Sequence, residues 1–138
     1  MMHHITKQQQ SFGYQFIKAY EIIDSHSLIT NPKNQVLIKM KIDPSLGNLK
    51  GSLHGGAAAT IVDTATTIAI AACDSKNRVN VTSDLSMTYM GAAYLNTDLY
   101  VLSKVNRIGK RLAFTECNFY DESGDLLVSG RHTKAFLE

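Results

Sequence analysis

The residues best placed to do chemistry stand together in Gly51-Ser52-Leu53-His54-Gly55-Gly56-Ala57-Ala58-Ala59-Thr60-Ile61-Val62-Asp63. A polar, glycine-rich turn runs straight into a long apolar segment that reads as a buried helix. Gly55 and Gly56 would present free N–H groups at its start, where the macrodipole is positive. Such a place suits a developing oxyanion, and glycine lets a ligand carbonyl approach the backbone closely. A loop-to-helix turn with unusual dihedrals would explain the same glycines. Asp63 is costly in an apolar helix unless it is hydrogen-bonded or used. It reads as a general base or a nucleophile, with a satisfied structural acid as the plain alternative. His54 would orient the turn, bond to a substrate, or serve structure alone.

Spacing limits what one chain can do. Asp63 lies eight residues after Gly55, about 12 Å along a helix axis. One chain cannot bring both groups onto a single small reacting centre. Two copies of the helix passing each other about a twofold axis can, so the spacing favours a site shared between subunits.

Other clusters are weaker. Arg107-Ile108-Gly109-Lys110-Arg111 puts three cations on a hairpin tip, either a phosphate clamp or a solubilising turn. Arg131-His132-Thr133-Lys134 adds cations near the last strand, with a weaker case. His3, His4, His26 and His132 form no metal spacing with His54. There is no Gly-x-Ser-x-Gly elbow and no phosphate-binding glycine loop. Cys73 and Cys117 form no CxxC pair and are expected as reduced thiols.

The elements that must hold these groups follow from periodicity. With 138 residues, one domain (1–138) is expected. Apolar residues at 44% and charged residues at 19% fit a globular chain. A net charge of +2 is too small to suggest nucleic-acid binding. Phe12, Phe16, Ile17, Tyr20 and Ile23 recur at helical spacing, so a short amphipathic helix is expected over 11–23, within a lead-in of residues 1–24. Ser25–Thr30 is expected as a short strand and residues 31–34 as a turn. Val36, Ile38, Met40 and Ile42 alternate with Leu37, Lys39 and Lys41, as in a strand with one buried face. The main helix is expected from about Gly55 to Cys73, and Val79–Met90, Thr97–Asn106, Arg111–Asp121 and Leu126–Leu137 as strands on short turns. The class is α+β: one long helix against a curved antiparallel sheet, whose other face needs cover from a partner. The Ala57–Ala72 run reads as too short and too interrupted to span a membrane. Residues 1–10 lack the apolar core of a signal peptide, so a cytoplasmic or mitochondrial setting is expected.

His54-Gly55-Gly56 followed by Ala59 and Asp63 resembles the signature of hotdog-fold acyl-CoA thioesterases, in the branch related to phenylacetate-pathway enzymes. Met87-Thr88-Tyr89-Met90, Gly109-Lys110, Leu112-Ala113-Phe114-Thr115 and Gly130-Arg131-His132-Thr133-Lys134 are similar to mammalian members, over about residues 35–135. The resemblance implies a hotdog fold, sheets paired in a dimer, and dimers paired into a homotetramer. It implies that Gly55 N–H polarises a thioester carbonyl and that Asn48, of the same subunit, helps hold the carbonyl or the water. Asp63 of the facing subunit would activate water or attack directly, with the Thr82 hydroxyl supporting it where the compared member has serine. His54 is carried as a site residue of the turn. Tyr89, Met90 and Gly91, with the hairpin residues Arg107, Gly109, Lys110 and Arg111, would bind the CoA nucleotide. Gly91-Ala92-Ala93-Tyr94 departs from the relative's Ser-Pro-Ala-Lys and loses a lysine. The implied reaction is hydrolysis of acyl-CoA, medium- to long-chain, with CoA as part of the substrate and no resident cofactor or metal. The alternatives are an aryl-CoA thioesterase and a non-catalytic acyl-CoA-binding protein. A hotdog hydratase ranks low, because no histidine follows Asp63 in the helix, and an interaction module is a further rival.

Overall fold

The alternation in residues 35–43 is realised as strand β2, Gln35–Lys41, with Val36, Ile38 and Met40 turned into the core. The computed structural model describes residues 20–22 and 34–137. Along the chain come β1 (Tyr20–Ile22), β2, a 3-10 turn (Pro44–Leu46), the helix α1 (Gly55–Cys73), β3 (Asn80–Tyr89), β4 (Asp98–Ile108), β5 (Leu112–Tyr120) and β6 (Leu126–Phe136). The strands form one antiparallel sheet in the order β1-β2-β4-β5-β6-β3. The sheet curls around α1, which is the hotdog arrangement expected.

Two expectations are corrected. Tyr20–Ile22 is a strand and not part of a helix, because its backbone pairs with Met40, Lys39 and Ile38 of β2. The rest of the expected 11–23 helix, the expected strand at 25–30 and turn residues 31–33 lie outside the described residues. The helix runs over Gly55–Cys73 as expected, but the reading that its apolar run is too short to span a membrane does not hold. At 19 residues and mean hydropathy 1.5 it matches a membrane span by length and composition. Its apolar face packs in the core instead, through Ala58, Ile61, Val62, Ala65, Ile68 and Ala69.

The strands after α1 do not all pair with their sequence neighbours. β4, β5 and β6 form a meander, but β3 crosses to pair with β6 and so forms one edge of the sheet. The crossover is fixed by backbone bonds: Met90 and Gly91 N–H donate to Leu127 O, and Leu53 N–H donates to Ala93 O. Register shifts at Thr82/Asp84, Val105/Arg107 and Phe119/Tyr120 mark bulges, which bend strands and increase twist. They let the sheet curve round a helix.

α1 approaches the sheet closely at Gly130 of β6. A Cβ built there would lie 3.0 Å from Val62 Cγ1 and 3.1 Å from Met87 Sδ. A larger side chain at this point must push the helix off the sheet. Gly130→Val is therefore expected to cost about 1–3 kcal/mol of stability, read as a lower midpoint of urea unfolding. A midpoint equal to the wild type would show that the contact is looser than described.

Candidate functional site

The loop before α1 is built by Asn48. Its Oδ1 accepts from Lys50 N–H at 2.9 Å and Ser52 N–H at 3.1 Å, and its Nδ2 donates to Ser52 Oγ at 3.0 Å. This closes a tight turn, completed by Gly51 at φ +80, a conformation glycine adopts at no steric cost. The chain then returns past the 3-10 turn, where His54 N–H donates to Leu46 O, and enters α1.

His54 is the N-cap of α1, and its Nδ1 accepts from Gly56 N–H at 2.9 Å. This settles the direction of the ring: Nδ1 is the acceptor, so the neutral ring carries its proton on Nε2. It also corrects the expectation that both glycine amides are free. Gly56 N–H is taken by the cap, whereas Gly55 N–H has no partner among the described residues. Gly55 needs neither a positive φ nor unusual room. A Cβ there would sit 3.7 Å from the Tyr89 ring, an ordinary contact. The fold of one chain does not demand glycine here. Tyr89 Oη donates to Gly55 O at 2.7 Å, tying the end of β3 to the start of α1. Beside this start lies an open groove of about 420 Å³, lined by Leu46, Gly47, His54, Ala57 and Thr60.

Asp63 stands two turns further along an unbroken helix. Its side chain is 48% exposed, and its Oδ1 receives Lys134 Nζ at 3.2 Å. Lys134 Nζ also donates to Thr67 Oγ1 at 2.6 Å. Oδ2 of Asp63 has no partner among the described residues. His132, two residues before Lys134 on the inner face of β6, lies 4.0 Å from Oδ1 through Nε2.

The buried His132 ring links Asp63's helix to Thr82. Its Nδ1 lies 2.8 Å from Thr66 Oγ1, and its Nε2 lies 2.9 Å from Thr82 Oγ1. Thr60, Thr64 and Thr67 each donate their hydroxyl to the carbonyl four residues earlier, and Thr66 lies 2.8 Å from Val62 O in the same relation. With the Thr66 proton on that carbonyl, His132 Nδ1 must donate, and Nε2 must accept from Thr82. The Thr82 oxygen then offers lone pairs to a neighbour. Burial pushes the His132 imidazole below its usual range, and the Lys134 ammonium adds to this against the opposing pull of Asp63 and Asp84. The ring is neutral near pH 7, and its contact to Asp63 is not an ion pair.

The hairpin residues stand elsewhere. Arg107, Lys110 and Arg111 are exposed at the β4–β5 turn, where Gly109 N–H closes onto Leu112 O at 2.8 Å. This turn belongs to the C-terminal end of α1. Arg78 donates to Lys110 O at 2.9 Å while holding Asp74, the C-cap of α1, and its guanidinium lies 3.6 Å from the Phe136 ring centroid. Tyr89, Met90 and Gly91 lie at the opposite end. The Met90 and Gly91 N–H groups are already bonded to Leu127 O, and a Cβ on Gly91 would meet Leu127 Cδ2 at 3.0 Å. One chain thus brings together His54, Gly55 and Tyr89, separately Asp63 and Thr82, and separately the cationic hairpin. Both cysteines are free; Cys117 is buried and Cys73 half-buried.

A glycine-led helix with a capping histidine and an inward acid, wrapped by this sheet, can be set against known proteins. The thioesterase superfamily pattern matches residues 50–128, more than half of the chain. The chain belongs to the thioesterase superfamily. Human acyl-coenzyme A thioesterase 13 is 34% identical over 114 residues, covering 82% of this chain and 81% of that protein. The crystal structure of zebra fish thioesterase superfamily member 2 shares 29% identity at a TM-score of 0.82, covering 96% of this chain and 93% of that one. A hypothetical thioesterase of Streptococcus pneumoniae, solved with coenzyme A, matches at a TM-score of 0.74 and 21% identity, covering 94% and 96%, which is a likeness of fold.

In this thioesterase-superfamily chain, His132 and Lys134 are the site neighbours that sequence reasoning passed over. They read as part of a cation cluster. The available signal was strand alternation, which places both on the buried face with Gly130 and Val128. His132 gives a pH dependence. Its folded-state affinity for protons is depressed, so its contribution is intact above about pH 6.5 and is lost as pH falls below it, where the unfolded chain takes up a proton and the folded chain does not. The thermal midpoint is expected to drop between pH 7.5 and 5.5, and His132→Asn is expected to flatten that slope. An equal slope in the variant would show that another group sets it.

Proposed function

We propose that the chain hydrolyses acyl-CoA thioesters at sites shared between two copies. The observation that carries this is the division of groups along α1. Among the described residues, an unpartnered Gly55 amide stands at its start, and a carboxylate with one unpartnered oxygen stands eight residues on. The names of the curated relatives support CoA thioesters as substrates.

Among the described residues β3 is an edge strand with an unpaired side, and such edges invite pairing with another chain. It runs from the C-terminal end of α1, where Leu137 N–H bonds to Val79 O, to the N-terminal end, where Tyr89 holds Gly55. Pairing about a twofold axis is antiparallel. It carries the partner's cationic hairpin towards this chain's Tyr89–Gly91 end, and its acid towards this chain's Gly55. Two equivalent sites result, and dimers would pair again into a tetramer through the outer sheet face.

The thioester carbonyl accepts from Gly55 N–H, helped by the second hydrogen of Asn48 Nδ2. Water donates one hydrogen to Oδ2 of the facing Asp63 and the other to Thr82 Oγ1. Its oxygen forms the new C–O bond while the carbonyl electron pair moves to the held oxygen. Collapse restores the C=O and breaks the C–S bond. The proton taken by Asp63 passes to the departing thiolate, leaving a carboxylic acid and CoA. CoA enters as part of the substrate, and this route uses no resident cofactor. The groove beside the helix start suits a medium- to long-chain acyl group, with aryl-CoA as the competing substrate class. The reading sets the enzyme in the cytoplasm or the mitochondrion.

Thiol release over a panel of acyl-CoAs from short to long, with one aryl-CoA, tests both substrate and mechanism. Asp63→Asn is expected to lower kcat about 10²–10⁴-fold, the scale of general-base action, with sedimentation showing the same oligomer as the wild type. Full turnover in the variant, or a monomeric wild type, sinks the shared-site mechanism. Tight acyl-CoA binding with no thiol release would favour a carrier. The hairpin is tested separately. Lys110→Ala with Arg111→Ala is expected to raise KM for an acyl-CoA while leaving KM for the matching acyl-pantetheine, which has no nucleotide, unchanged. Equal effects on both would remove the hairpin from nucleotide binding.

A further inference from the structure

Lys134 has no evident structural reason to be a lysine. Its side chain is 5% exposed on the inner face of β6, a place where lysine is almost never found unless paired. Its cross-strand neighbours are Ala113 of β5 and Thr82 of β3, and the same face of β5 carries Cys117 and Phe119. An apolar residue of similar length would pack there without the cost of desolvating a charge. The ammonium has two recorded contacts, Asp63 Oδ1 at 3.2 Å and Thr67 Oγ1 at 2.6 Å.

These contacts close a ring. Thr67 donates its own proton to the Asp63 backbone carbonyl at 2.7 Å and accepts from Lys134. Lys134 returns to the Asp63 carboxylate. The helix backbone, the threonine and the lysine therefore hold the carboxylate at one oxygen. Without that grip, Asp63 is a half-exposed side chain free to change rotamer. With it, Oδ1 is occupied and Oδ2 is the oxygen left for chemistry.

We propose that Lys134 is the positioning residue for Asp63: from β6 its buried ammonium, anchored by Thr67, holds Oδ1 and leaves Oδ2 to meet the reacting water. This rests on the reading of Asp63 as the acid that activates water. The charged and titratable groups facing Asp63 are Lys134 and His132 from β6, with Asp84 of β3 acting on His132. His132 is neutral near pH 7, so Lys134 is the cation that grips the carboxylate.

Lys134→Met keeps the length and removes the charge. It is expected to lower kcat about 10- to 100-fold, the scale on which a misplaced reacting group costs rate, with KM within about twofold. The loss in kcat with KM held is a split that a loss of packing alone does not produce. Thr67→Val keeps the ammonium and removes its anchor. It should give a smaller fall in kcat in the same direction, and it serves if the methionine variant does not fold. Asp63→Asn is measured beside them. If it is inactive while Lys134→Met, or a folded Thr67→Val, keeps wild-type kcat, the role of Lys134 is overturned and that of Asp63 stands. If Asp63→Asn keeps full turnover, both fall.

Discussion

The contact between α1 and β6 is the constraint on which the rest depends. Gly130 lets Val62 come against the sheet. On either side of that dry contact the helix turns polar groups, Asp63, Thr66 and Thr67, towards His132 and Lys134. Close approach makes the polar pairing possible, because side chains as short as threonine and aspartate reach only a few ångströms. The polar pairing in turn makes the approach selective. Burial sets how strongly α1 is held, and the hydrogen bonds of Thr66 to His132 and of Asp63 and Thr67 to Lys134 tie its polar groups to β6.

That orientation explains the placement of the other groups. With Asp63 on the β6 side, the start of α1 points Gly55 towards Tyr89 at the end of β3. The Gly55 amide, which the N-cap does not use, lies beside the end of β3. His54 contributes by subtraction: by accepting from Gly56 it removes that donor, and of the two glycine amides only that of Gly55 lacks a partner among the described residues.

The central helix and the meander were legible in the sequence, because each has a dominant period. The apolar run from Gly55 to Cys73 reads as a helix in any frame, and Val36, Ile38 and Met40 fix a strand face. The strand at Tyr20–Ile22 was not legible. Its spacing of aromatics fits a helix, and only its pairing with β2, a contact distant in sequence, decides otherwise. The same holds for β3, whose neighbour is β6 and not β4. His54, Gly55 and Asp63 stood out because they interrupt an apolar pattern. His132 and Lys134 did not, because Arg131 and Thr133 between them make the stretch look like a solvated face. Which Gly amide is free could not be read at all, since it depends on the rotamer of His54.

The corner formed by Arg78 has a consequence for how a charged ligand would be received. Its guanidinium is held by Asp74 and lies over Phe136, while it grips the backbone of Lys110 at the β4–β5 turn. A loop with three exposed cations would ordinarily wander, and ordering it would subtract from any affinity it gave. Here the turn is referenced to the end of the central helix through one stacked and bonded arginine, so its disorder is removed when the protein folds rather than when a ligand arrives. An anion then meets donors already in place, and loses mainly its own freedom on binding.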